Sequence, residues 1–131
     1  MIVVDASVVV LALLDEERVG DAARDALTAD NRWIMPEHWA VEVLSVVRGH
    51  LLGGHIGAAQ AGDAVDAVAE IDPEIVPTRL LVPRIWSLRG NLTTYDAAYA
   101  AAAEMYGCPL VTADGKLARA SGIGCAIELI R

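Results

Sequence analysis

Residues 1–14 read MIVVDASVVVLALL, and the folding of this stretch decides the fold of the chain. Ile2, Val3 and Val4 are apolar and β-branched, the composition of a short strand buried on both faces. Asp5 ends that run, and Ala6-Ser7 lead into a second apolar segment long enough for a helix. An acid at the end of a buried strand is costly unless something compensates its charge. In an open α/β sheet the same position lies where ligands bind, outside the carboxyl ends of the strands. The remaining sequence is therefore read for residues that join Asp5 at that edge.

The chain has 131 residues, enough for one domain, 1–131, with a real core. Its 55% hydrophobic content excludes disorder. The longest apolar runs are broken by Asp5, Asp15 and Gly107, so none has membrane-spanning length. The N-terminus has no positive n-region and reads as mature protein, which predicts a cytoplasmic location. Cys108 and Cys125 match neither a zinc spacing nor a C-x-x-C motif and read as buried small hydrophobes. The net charge of −8 is uneven: residues 1–74 carry −10 and residues 75–131 carry +2. A local basic face can bind phosphate despite an acidic total, although two ordinary solvated surfaces give the same balance.

Ser7 reads as the N-cap of a helix through Leu14, stopped by Asp15-Glu16-Glu17. A second helix is predicted over Asp21–Ala29, and a short strand over Trp33-Ile34-Met35. Pro36 ends that strand and opens a helix over Glu37–Leu52, closed by Gly53-Gly54. Ile56–Ile71 reads as an amphipathic helix broken by Pro73. Glu74–Thr78 reads as an edge strand because of Pro77. The next helix is predicted over Leu80–Arg89, with Pro83 in its first turn. Thr93–Tyr106 carries the strongest signals: Thr93 and Asp96 in capping-box spacing, and Gly107 as the stop. A strand at Leu110–Thr112, a short helix at Gly115–Ala120 and a strand at Ala126–Leu129 complete the chain. Alternating strands and helices give a three-layer α/β/α sandwich around a mostly parallel sheet.

Helices that follow strands in such a fold begin at the carboxyl edge. This places Asp5, Glu42, Asp96 and Asp114 within reach of one another. Each has an ordinary alternative: Asp96 as a capping acid, Asp114-Gly115 as a turn, and Glu42 on a solvated stripe with Ser45 and Gly49. Asp5 is the hardest to explain so. Four clustered carboxylates need a counter-charge, and a hard divalent cation such as Mg²⁺ supplies it while also binding phosphate oxygens. Asp5 and Asp96 are the expected direct ligands, with Glu42 and Asp114 completing the shell or holding its waters. Ser7 and Thr112 can orient these acids through their hydroxyls, or serve only as a helix cap and a strand residue.

Several segments resemble one family. MIVVDAS at the start, Ala40-Val41-Glu42-Val43-Leu44, Leu92-Thr93-Thr94-Tyr95-Asp96-Ala97-Ala98-Tyr99 and Pro109-Leu110-Val111-Thr112-Ala113-Asp114 are similar to the PIN domain. More closely, they resemble the VapC toxins of bacterial toxin–antitoxin pairs. The resemblance implies a Mg²⁺- or Mn²⁺-dependent endoribonuclease, a homodimer, held inactive by a cognate VapB-like antitoxin. It carries over the acids at Asp5, Glu42, Asp96 and Asp114 and the hydroxyl at Thr112. Gly115, Lys116 and Leu117 stand where some relatives have a fifth acid. By the same analogy, a groove of Val, Leu and Trp near the first two helices is the expected partner surface.

Four acids without a nucleophile-and-base pair point to metal-assisted hydrolysis, leaving 5′-phosphate and 3′-hydroxyl ends. His38, His50 and His55 read as surface or helix-end residues, not as a two-histidine ribonuclease. Arg79, Arg84, Arg89, Lys116 and Arg119 can track an RNA backbone or simply be solvated. Trp39 and Trp86 read as core or dimer-interface residues. A receiver- or dehalogenase-type phosphoryl-transfer protein is disfavoured, since such proteins pair a second acid with the first and Ser7 stands two after Asp5. A non-catalytic module whose acids receive a partner's basic segment remains the other alternative.

Overall fold

The computed structural model describes residues 1–131. Five strands are ordered β3-β2-β1-β4-β5, with every neighbouring pair parallel. They are β1 (Ile2–Val4), β2 (Trp33–Pro36), β3 (Glu74–Val76), β4 (Leu110–Thr112) and β5 (Ile127–Leu129). In β1 and β4 all three residues are buried, as expected for central strands covered on both faces. At the edges, β3 exposes Glu74 and Ile75, and β5 exposes Glu128.

The seven helices are α1 (Ala6–Leu14), α2 (Arg18–Thr28), α3 (Trp39–Leu52), α4 (Ala58–Glu70), α5 (Thr78–Ser87), α6 (Thr94–Tyr106) and α7 (Gly115–Arg119). The chain steps from β1 through β2 to β3 in one direction, then returns past β1 to β4 and β5. Right-handed crossovers put α1–α4 on one face and α5–α7 on the other. The strand order reverses between β1 and β4, the position at which an open sheet leaves a crevice at its carboxyl edge. None of the helices is long and apolar enough to cross a membrane.

Two local sequences explain how closely the layers approach. In α6, Ala97 to Ala103 are all buried, and the small alanine side chains let this helix lie directly on β2, β1 and β4. The helix is capped by Thr93, whose Oγ1 accepts from the Asp96 N–H, and ends at Gly107 with φ +62°. At Gly20, a Cβ would stand 1.9 Å from the Asp15 carbonyl oxygen, so only glycine lets α2 turn back this tightly against the end of α1.

Several expectations need correction. Asp5, not Ser7, occupies the N-cap position of α1, and α2 starts at Arg18 instead of Asp21. Pro36 ends β2 and does not open α3, which begins at Trp39; Glu42 therefore lies in the first turn of α3, nearer the edge than expected. Helix α5 begins at Thr78 after Pro77, which puts Pro83 in its second turn. The Arg79 carbonyl thereby loses its intrahelical donor, on a turn exposed to solvent where water replaces the bond. Trp39 is core, but Trp86 is 62% exposed.

Candidate active site

Asp5 leaves β1 at the switch point and is 4% exposed. Its Oδ2 accepts from the Ser7 hydroxyl at 2.6 Å and from the Thr112 hydroxyl at 2.7 Å. The direction of both bonds is fixed, because each hydroxyl oxygen is itself occupied. Ser7 Oγ accepts from the Ala113 N–H and Thr112 Oγ1 from the Asp114 N–H, each at 3.0 Å. Ser7 and Thr112 thus tie the end of β1 to the turn after β4 through the Asp5 carboxylate.

Asp114 caps α7, its Oδ1 accepting from the N–H groups of Lys116 at 2.8 Å and Leu117 at 3.4 Å. Glu42 is held from α6: the buried Tyr99 donates its phenol to Oε1 at 2.9 Å. His38 Nε2 lies 3.6 Å from the same oxygen. That nitrogen is buried without a hydrogen-bond partner, and its ring meets Tyr95 and Tyr99 edge-on at 5.5 and 5.3 Å. In Asp5, Glu42 and Asp114, then, the fold holds one carboxylate oxygen and the other takes no protein hydrogen bond. Asp96, in the first turn of α6, is half-buried and shares with Glu42, His38, Ser45, Thr93, Tyr95 and Val41 a cleft of about 460 Å³.

The electrostatics follow from this placement. Burial raises the pKa of Asp5, and the charge of Asp114 adds to the effect against the Ser7 and Thr112 hydrogen bonds. Asp96 is raised by burial and then by the charges of Asp5 and Asp114. Glu42 is pushed up to about 7, chiefly by burial, with Asp5 and Asp96 contributing. Burial lowers His38, so the imidazole is a poor counter-charge. No Lys or Arg pairs with any of the four acids. A hard cation fits this all-oxygen, anionic donor set. No three His, Cys, Asp or Glu side chains stand close enough to grip an ion unaided. A cation here would therefore be held by one or two carboxylates and by waters, which agrees with Asp5 and Asp96 as direct ligands and with Glu42 and Asp114 holding waters.

The family model described as PIN domain matches residues 2–123. Ribonuclease VapC9 of Mycobacterium tuberculosis is 35% identical over 130 residues, covering 99% of this chain and 98% of VapC9. The chain belongs to the PIN-domain family, among the VapC ribonucleases. Ribonuclease VapC1 of the same organism is 36% identical over 130 residues, covering 98% of this chain and 97% of its own. A toxin–antitoxin complex from Klebsiella pneumoniae contains a chain of the same fold, with a TM-score of 0.69 at 18% identity over 100% of this chain and 98% of that one.

Within this PIN domain, the cations singled out in the sequence do not behave alike. Arg79 and Arg89 are exposed and free of ion pairs, as are Lys116 and Arg119 on α7. Arg84 is engaged: it pairs with Glu104 at 2.8 Å and donates to the Gly122 carbonyl at 2.7 Å, so it is withdrawn from the RNA-tracking set. Sequence reasoning missed His38 and Tyr99. A signal existed, since His38 and Glu42 stand at i,i+4 and Tyr99 follows Asp96 by three, so each is on the same helix face as an acid.

Proposed function

We propose that this VapC-family protein is a divalent-metal-dependent endoribonuclease acting through Asp5, Glu42, Asp96 and Asp114, with Mg²⁺ or Mn²⁺ as cofactor. The observation that carries the reading is the convergence of four carboxylates, from four separate elements, on the sheet's switch point without a cationic partner. The homologous ribonucleases support it.

The residues divide the work. Ser7 and Thr112 saturate Asp5 Oδ2 and leave Oδ1 free to bind; Tyr99 does the same for Glu42 through Oε1. Asp114 uses Oδ1 to cap α7, which fixes where Oδ2 stands. A cation held there would offset the acids' charge, stabilise negative charge developing on a phosphodiester and favour attack by water. His38 Nε2 is buried against Glu42, which keeps that nitrogen from abstracting a ribose 2′-hydroxyl proton.

The same reading includes a cognate VapB-like antitoxin, a homodimer and a cytoplasmic site of action, where RNA is met. The antitoxin has a candidate seat in a groove of about 350 Å³ lined by Val10, Leu11, Leu14, Ile56, His50 and His55. This groove has valine and leucine but not the tryptophan expected near the first two helices. Trp33 is instead tied to the Leu27 and Asp30 carbonyls through its indole N–H.

The chemistry of the cut ends tests the proposal. Hydrolysis leaves 5′-phosphate and 3′-hydroxyl termini, which accept direct ligation. Termini bearing 2′,3′-cyclic phosphate would show attack by the ribose hydroxyl and overturn it.

A further inference from the structure

Beside the acidic cleft lies a second one, of about 390 Å³, between α5 and the start of α6. Its walls include Val82, Ile85, Trp86, Tyr95 and His38; the last two also line the acidic cleft, so the two clefts are neighbours. Trp86 is 62% and Tyr95 63% exposed, high values for large aromatic rings. The Arg89 guanidinium lies over the Trp86 ring, 4.8 Å from its centroid, and is anchored by a bond to the Trp86 carbonyl. No acid occurs from Ile75 to Tyr95, while Arg79 and Arg89 there have no ion-pair partner.

We infer that this cleft is a nucleobase subsite, in which a base next to the scissile phosphate stacks on Trp86 and Tyr95 while Arg79 and Arg89 meet the flanking phosphates. The inference rests on the ribonuclease reading and names a feature that sets substrate choice. Single-stranded RNA is held by this combination of aromatic platforms, stacked guanidinium planes and cations along the backbone. Charge complementarity separates this occupant from the other candidate, a second copy of the chain. A twofold contact through the cleft would set against its own copy the wall formed by α5, a helix without acids that bears the unpaired Arg79 and is followed by Arg89. An RNA strand presents the opposite charge to that wall and reaches the metal-binding acids with its next phosphate.

The test measures binding of a fluorescein-labelled mixed-sequence dodecaribonucleotide to the full chain in Ca²⁺, by anisotropy. Trp86→Ala, Trp86→Phe and the parent are compared, with molecular mass followed by sedimentation. Because Trp86 is exposed, these variants are expected to keep the parent's melting temperature. Loss of one stacked base predicts roughly fivefold to hundredfold weaker binding by Trp86→Ala, with most affinity kept in Trp86→Phe. An abasic dodecamer should bind the parent about as weakly as the normal one binds Trp86→Ala. Undiminished binding by Trp86→Ala overturns the inference, and so does a loss that tracks a fall in molecular mass, which would assign the cleft to a second copy. If the parent cleaves RNA with Mn²⁺ yet binds normal and abasic dodecamers equally, the subsite alone fails. If the parent neither binds nor cleaves RNA, the ribonuclease reading beneath it fails.

Discussion

Replacing Glu42 by glutamine should stabilise the metal-free protein. The acid sits among other acids with no cation, and its pKa is pushed from the ordinary 4.5 up to about 7. Between those two values the native protein binds more protons at this site than the unfolded chain does. Stability is therefore lost as pH rises from 4.5 to 7, and the full penalty persists above 7. At 1.36 kcal/mol per pH unit the penalty is at most about 3.4 kcal/mol. The side chain is 28% exposed, and water screens part of the repulsion, so roughly 1–2 kcal/mol is expected. Glutamine keeps an acceptor for the Tyr99 phenol and removes the charge. In EDTA at pH 8, Glu42→Gln should melt on the order of 3–10 °C above the parent, and the gap should close as the pH falls toward 4.5. Saturating Mg²⁺ should raise the parent's melting temperature more than the variant's, since the ion offsets the same charge. A variant no more stable than the parent at pH 8 in EDTA would refute the reasoning, because it would mean that Glu42 carries no uncompensated charge.

Three further outcomes follow from particular contacts. Tyr99→Phe removes the donor to Glu42 Oε1 without changing ring packing, so Mn²⁺ affinity by titration calorimetry should fall about tenfold to hundredfold while the fold persists; unchanged affinity would show that the phenol does not position Glu42. Gly20→Ala must push a methyl away from the Asp15 carbonyl, and thermal unfolding should show a loss of about 1–3 kcal/mol; a neutral result would mean that α2 shifts freely. Arg84→Ala breaks the ties from α5 to Glu104 on α6 and to Gly122, so it should lower stability while leaving the salt dependence of RNA binding as in the parent. A flatter salt slope would return Arg84 to the RNA-tracking set.

The carboxyl-edge acids were legible in the sequence because their positions depend on local signals. Asp5 interrupts an apolar β-branched run, Thr93 and Asp96 mark a helix start, and Asp114 follows a three-residue buried strand. Two of the helix boundaries that failed did so at prolines with two meanings: Pro36 could end a strand or begin a helix, and Pro77 caps α5 where it was read as part of a strand. Ser7 reads from sequence either as a cap or as a hydroxyl that orients an acid, because the two share composition; the pairing of β1 with β4, which brings Thr112 and the Ala113 N–H to it, favours the second. The hold of Tyr99 on Glu42 spans 57 residues and exists only because α3 and α6 both start at the same edge. Trp86 is not core, and the sequence left core and interface open because a large aromatic in an apolar helix gives no signal of which face it occupies.

The most direct test of the central claim is cleavage of total cellular RNA by the purified protein with Mg²⁺, with Mn²⁺ and with EDTA, beside Asp5→Asn. The structure predicts cleavage only with a divalent ion and none by Asp5→Asn. That substitution keeps the hydroxyl network's shape but removes the charge at the switch point. Cleavage that survives EDTA, or that Asp5→Asn performs as well as the parent, would contradict the assignment of these four acids to the reaction.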